Sequence, residues 1–228
     1  MKILITSGGT TEAIDAVRGI TNHSTGKLGK KIAETFLNQG HQVTLITSKE
    51  ALKPQPQPLL NLNIVTCVAD LQDALKKNVP NHDVLIHAMA VSDYTPVYMT
   101  DLDELRQVSD LDQLLDKSNS EKKITSQADC QVLFLRKTPK LISQVKQWHP
   151  EIRLIGFKLL VNVSKETLIR VARDSLVQNK SDLIVANDLN QITKDQHKAF
   201  LVGPDFLYEA NSKKDIAQLI YKEVTKHD

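Results

Sequence analysis

The densest set of residues able to do chemistry lies near the amino terminus, in Ser7-Gly8-Gly9-Thr10-Thr11-Glu12-Ala13-Ile14-Asp15-Ala16-Val17-Arg18-Gly19-Ile20-Thr21-Asn22-His23-Ser24-Thr25-Gly26. Gly8 and Gly9 let backbone N–H groups come close to a ligand. Ser24-Thr25-Gly26, followed by Lys27 and Gly29, puts hydroxyls and free N–H groups at a helix start, where the helix dipole favours an anion. Phosphate binding is the reading these residue types support; a turn with an ordinary helix cap is the plainer one. Arg18 offers a planar fork for phosphate or carboxylate, and Asn22 an amide that donates and accepts. Taken singly, each suits a surface ion pair or a turn. The spacing excludes the dinucleotide fingerprint, which needs Gly-x-Gly-x-x-Gly tightly between strand and helix. It also excludes the P-loop, which needs four residues between its glycines and Lys-Ser/Thr next.

A second set follows the run Asp83–His87: Ala88-Met89-Ala90-Val91-Ser92-Asp93-Tyr94, small residues leading to a carboxylate. Parallel sheets bind ligands beyond the carboxyl ends of their strands, so Asp93 could hold a ligand hydroxyl or magnesium, or merely cap a helix. Lys122-Lys123-Ile124-Thr125-Ser126, Leu135-Arg136-Lys137-Thr138-Pro139, Gly156-Phe157-Lys158 and Val185-Ala186-Asn187-Asp188 complete the candidates.

Short β-branched runs alternate with helix-period runs, which predicts an α/β fold: a three-layer, doubly wound, mostly parallel Rossmann-like sheet. Strands are expected at Ile3–Thr6, Gln42–Thr47, Asn63–Val68, Asp83–His87, Val132–Leu135, Arg153–Phe157 and Asp182–Ala186. Helices are expected at Lys27–Gln39, Asp70–Asn78, Pro139–Trp148, Ser164–Asn179 and Ser212 to about Lys226. Lys198–Val202 and Phe206–Glu209 read as a hairpin near the carboxyl end. Between the first strand and first helix stand about twenty residues, where two to six are usual, so this loop is expected to be functional. After Pro96 the alternation stops, and an irregular acidic insertion, a candidate lid, spans about 96–130 within a single domain of residues 1–228.

The chain has 228 residues, with 29 Lys and Arg against 27 Asp and Glu, so no strong field points to nucleic acid. Cys67 and Cys130 have neither metal-ligand nor Cys-x-x-Cys spacing and suit a reducing compartment. No window is apolar enough to span a bilayer and no leader pattern opens the sequence, so a cytoplasmic location is expected, with no membrane partner.

Taken in order, Thr6-Ser7-Gly8-Gly9-Thr10, Val17-Arg18, Asn22 to Gly29, Ala90 to Tyr94, Lys123-Ile124 and Ala186-Asn187-Asp188 resemble the phosphopantothenoylcysteine synthetases, or phosphopantothenate–cysteine ligases, over nearly the whole chain. Relatives carry a pantothenate-metabolism flavoprotein label because the ligase is often fused behind a flavin-dependent decarboxylase; no flavin is expected in this portion. The resemblance implies condensation of 4′-phosphopantothenate with cysteine through an acyl-nucleotidyl intermediate, using Mg2+ and CTP, or ATP. It implies that Gly8, Ser24, Gly26 and Gly29 line the triphosphate and that Phe157 and Asn187 contact the nucleoside. Asn22 would hold the substrate carboxylate and then the acyl intermediate, Ala90 and Asp93 would complete that pocket, and Lys123 would close over the reacting phosphates from a mobile loop. Arg18 would reach phosphopantothenate bound to the neighbouring subunit, which implies a homodimer. Lys123-Ile124-Thr125-Ser126 and Gly156-Phe157-Lys158-Leu159 lean towards the eukaryotic form, with Leu160 where Glu is usual. A non-catalytic nucleotide-binding regulatory module is the alternative.

Overall fold

The structure, a computed structural model, describes residues 1–119, 123–125, 127–193 and 196–226. The chain runs through β1 (Lys2–Ser7), β2 (Thr11–Ala13), β3 (Gly19–Thr21), α1 (Lys27–Asn38), β4 (Gln42–Thr47), β5 (Leu60–Ile64) and α2 (Val68–Asn78). It continues with β6 (Val84–His87), β7 (Tyr94–Asp101), α3 (Leu102–Gln107), β8 (Gln131–Lys137), α4 (Val145–Trp148), β9 (Arg153–Leu160) and α5 (Lys165–Asn179). Last come β10 (Leu183–Asp188), β11 (Ala199–Val202), β12 (Leu207–Ala210) and α6 (Lys213–Val224).

Eight strands form one sheet in the order β12-β11-β10-β9-β6-β1-β4-β5. The six from β5 to β10 are parallel, and β11 and β12 close one edge antiparallel, as the expected hairpin. Strand order reverses between β1 and β6, the place where doubly wound sheets open a crevice for ligands. Alternation within β1 shows how the layers form. Ile3 and Ile5 enter the core under α1 and α6, while Leu4 enters the opposite core under α2 and Val145 of α4. A third cluster packs Leu168 and Ala172 of α5 on Ile184 and Ala186 of β10. Phe36 of α1 is wholly buried and meets Tyr221 of α6 edge-on, with ring centroids 5.3 Å apart; such a ring is worth about 3–5 kcal/mol against alanine.

Three expectations are corrected by the structure. The third strand is Leu60–Ile64, and Val65 and Val68 are buried under the sheet from a loop and from α2 rather than as strand residues. Val132–Leu135 belongs to β8, which leaves the main sheet and pairs antiparallel with β7. Pro139–Trp148 is a 3-10 turn at Leu141–Gln144 and a single helical turn, α4. The long first loop folds into the hairpin β2–β3.

The stretch expected to be irregular also has order. An arm enters along β7, carries α3 and a 3-10 turn at Leu111–Asp116, and returns along β8. The side-chain amide of Asn119 pairs with both backbone groups of Met99 as another strand would, at 2.8 and 2.9 Å. Glu104 accepts from Lys117, Tyr98 and Thr100, contacts that lower its carboxyl to about 2. No helix among the described residues is long and apolar enough to cross a membrane.

Candidate active site at the carboxyl edge of the sheet

Backbone pairing between β1 and β6 does not stop where the strands end. Ala88 N–H donates to Thr6 (3.2 Å), Ala90 N–H to Gly8 (2.9 Å) and Thr10 N–H to Ala90 (3.1 Å), so the loops continue the parallel ladder. Gly9 and Ala90 form the last bridge. A Cβ on Gly9 would overlap the Asn22 carbonyl, and Asn22 N–H in turn donates to Thr10 at 3.2 Å. Close approach thus requires glycine there and sets Asn22 beside the Ala88–Asp93 ridge. Thr10 Oγ1 bonds Ser92 through its backbone N–H and its hydroxyl, both at 2.9 Å, and Thr138 Oγ1 donates to Ser92 O at 2.6 Å.

Next to this ladder lies a cleft of about 470 Å3. It gathers Ser24, Gly26, Gly29, Ala90, Phe157 and Asn187, six candidates drawn from the loop after β1, the first turn of α1, the loop after β6, β9 and β10. Gly26 stands at the N-cap of α1 with φ of 72°, the left-handed region that favours glycine. Gly29 faces Ser7 so closely that a Cβ would overlap its side chain. The start of α1 is therefore open to an anion. Gly8, also left-handed at φ 84°, packs on Ser48 and Ala51 instead of lining the cleft.

Three further residues give this cleft its charge and polarity. Lys27, in the first turn of α1, and Lys213, first residue of α6, both line it. Burial first, then Lys27, pushes the Lys213 ammonium below its usual range. Two cations facing one cleft suit a polyanion. His197 is 7% exposed, and burial first, then Lys213, lowers its imidazole to about 4, so it is neutral at pH 7. Its Nε2 lies 3.5 Å from the Asn187 amide nitrogen, and its Nδ1 has no protein partner among the described residues. Sequence reading missed His197 and Lys213, because only β10–β12 and α6 packing brings them to the cleft.

A second cleft, of about 460 Å3, opens on the other side of Met89 and Phe157, which line both. Asp93 is at its margin, ion-paired with Lys140. Its floor includes His87, whose Nδ1 meets Thr6 Oγ1 at 2.9 Å and whose burial lowers it to about 4. Asp188 ties down the loop beyond β9 by accepting from Asn162, Val163 and Asn190 at 2.8–3.0 Å. Those bonds, Val163's first, hold its carboxyl below the ordinary range.

Arg18 and Lys123 are brought together outside these clefts. Arg18 is at the end of the β2–β3 turn, bound to Asp15 through Nε (3.0 Å) and Nη2 (2.6 Å), and Nη2 also donates to Ile124 O at 3.0 Å. Lys123 is exposed and Ile124 buried. Lys122 and Ser126 of the same run lie outside the described residues.

A Rossmann-like sheet with a glycine-lined, lysine-bearing cleft at its switch point is an α/β arrangement suited to a nucleotide or another phosphate ligand. The chain belongs to the family described as the DNA/pantothenate metabolism flavoprotein C-terminal domain, whose profile matches residues 1–227. It is 33% identical over 229 residues to the coenzyme A biosynthesis bifunctional protein CoaBC of Thermococcus kodakarensis, covering 99% of this chain and 51% of that protein. It thus spans about half the length of the curated relatives it matches. A crystal structure of the DNA/pantothenate metabolism flavoprotein from Streptococcus pneumoniae is 54% identical, with a TM-score of 0.96 and full coverage of both chains. A Cab2 mutant solved with phosphopantothenate-cysteine shares the fold, at 20% identity and a TM-score of 0.73 over 99% of this chain and 86% of that one.

Proposed function

We propose that the chain is the ligase of coenzyme A biosynthesis that joins 4′-phosphopantothenate to cysteine. The observation that carries this reading is the convergence of Ser24, Gly26, Gly29, Ala90, Phe157 and Asn187 on one cleft, with Lys27 and Lys213 facing it. The family relationship and the product bound to Cab2 support the choice of substrates.

In the proposed reaction a carboxylate oxygen of phosphopantothenate attacks the α-phosphorus of a nucleoside triphosphate, and pyrophosphate leaves. The cysteine amine then attacks the acyl carbon, loses a proton and expels the nucleoside monophosphate. Both steps concentrate negative charge, so fixed donors and cations are the main catalytic resource. Ser24, Gly26, Gly29, Lys27 and Lys213 hold the phosphates, with Gly8 shaping the loop behind them; Phe157 and Asn187 hold the nucleoside. Asn22 holds the carboxylate and then the acyl group, Ala90 and Asp93 complete that pocket, and Lys123 neutralises the reacting phosphates. Mg2+ would be carried largely by the triphosphate's own oxygens, the hard ligands it prefers. CTP is the nucleotide we assign ahead of ATP, as the family resemblance favours. We further assign a single cytoplasmic domain acting as a homodimer in which Arg18 serves the neighbouring site.

The test is pyrophosphate release with Mg2+ and phosphopantothenate, CTP against ATP, with cysteine added last. Release that needs phosphopantothenate, followed by the cysteine amide, supports the ligase. Nucleotide binding without release would favour a regulatory module.

A further inference from the structure

The β2–β3 hairpin ends in a buried carboxylate whose role the proposed chemistry does not use. The Asp15 side chain is fully enclosed and collects five donors: Val17 N–H (2.9 Å) and Arg18 N–H (2.8 Å) on Oδ1, then Arg18 Nε (3.0 Å), Arg18 Nη2 (2.6 Å) and Ile124 N–H (3.2 Å) on Oδ2. These bonds, Arg18's first, hold its carboxyl far below the usual range. Two of the donors come from the guanidinium and one from a backbone more than a hundred residues away in sequence. Arg18 Nη2 closes the ring by donating to Ile124 O, so the residue after Lys123 is gripped at N–H and at C=O while its side chain is buried. Arg18 remains 36% exposed, and its Nη1 has no partner among the described residues.

We infer that Asp15 is a positioning residue that binds Arg18 and the Lys123 segment into one unit, so that the two cations are aligned together. The inference rests on the ligase reading for what the cations meet: a substrate phosphate at Arg18 and reacting phosphates at Lys123. Asp15 touches neither. It fixes the fork with one edge inward, leaves Nη1 for the ligand, and sets the segment's position through Ile124. Preorganisation of this kind lowers the reorganisation needed when the anions arrive. The carboxylate is required because an amide cannot accept from all five donors; one of its faces would present N–H to N–H.

The grip has a readout independent of catalysis. A protease must draw an extended segment into its active site, and Ile124 is tied on three sides, so the Lys123–Ile124 bond is cut only after the unit opens. With the full chain and trypsin, Asp15→Asn should speed cleavage after Lys123 by about tenfold or more, with unchanged circular dichroism. Arg18→Lys, which keeps the charge but not the fork, should do the same, and serves if Asp15→Asn fails to fold. In pyrophosphate release, Asp15→Asn should raise KM for phosphopantothenate and lower kcat together, leaving KM for the nucleotide within about twofold, because the glycine-lined cleft is untouched. Cleavage at the wild-type rate in folded variants overturns the grip. Faster cleavage with unaltered constants overturns the positioning role. Absence of pyrophosphate release from the wild type defeats the ligase reading, and the trypsin arm still decides whether Asp15 binds the unit.

Discussion

At the residue scale, the site depends on how near Asn22 is brought to the ridge after β6. Its N–H is held by Thr10, and Gly9 leaves room for its carbonyl, so the side chain starts from a fixed backbone. In the ligase reading that amide donates to the acyl-nucleotide. Asn22→Asp keeps the size and substitutes a charge that repels the anions. Amide formation should fall by about a hundredfold or more, the scale of losing one preorganised donor; rates within a few-fold of wild type would remove Asn22 from the chemistry. His87 supplies a different test. Its folded value is about 4 against an ordinary 6.5, so the unfolded chain takes up the proton first as pH falls. Stability therefore increases from pH 4 to 6.5 and is lost on acidification through that window, by on the order of 3 kcal/mol from this group. Urea midpoints measured between pH 7 and 4.5 should fall less steeply in His87→Gln than in wild type. Equal slopes would mean that His87 titrates alike in both states.

The same residues explain what the sequence revealed. Ser24, Gly26, Gly29 and Lys27 were legible because a helix start with glycine and hydroxyls has a local signature. His197 and Lys213 had none: a lone histidine in a loop and a lysine opening a helix are common, and only the packing of α6 beside α1 turns them to one cleft. Asp15 reads as a turn former from its own neighbours, and its long-range bond to Ile124 is invisible to spacing.

At the element scale, caps and edges matter most. Ser212 caps α6 by accepting from Asp215 N–H at 3.1 Å, and Lys213 follows at once. Ser212→Ala should cost about 1 kcal/mol, a fall of roughly 3 °C in Tm by thermal melting. An unchanged melt would show that water satisfies that helix end equally well. Elements buried on both faces, such as β1, β4 and β10, were predicted within a residue or two because their apolar runs leave no alternative. The edge strand β5 was displaced towards Val65 and Val68 because its own Leu62 and Ile64 are exposed, and hydrophobicity there does not mark the core. The apolar run in β8 reads as one more strand of the alternation for a related reason: periodicity gives burial, but not the partner strand.

At the scale of the whole molecule, the homodimer we propose would draw Arg18 and Asn22 of one site from different chains. Mixing Arg18→Ala with Asn22→Asp protein should then restore activity. Random exchange makes half the dimers mixed, each with one intact site of two, or about a quarter of wild-type activity. A mixture no more active than its components would place both residues in the same chain's site. The Rossmann-like order was predictable because alternating strand and helix signals permit few right-handed topologies. The clefts were not, since each is a space between elements distant in sequence.

The arm from β7 to β8 leaves and rejoins the sheet at nearly one point, where Thr138 N–H donates to Asp93 O at 2.9 Å. Its two ends are already neighbours, and β6 and β9 pair directly without it. The arm is therefore a cassette. Its length and composition can drift, or be exchanged whole for that of a relative, while the sheet register stays the same and the Lys123 segment travels with the graft. A change in what the Lys123 segment meets can thus be introduced as a single inserted piece.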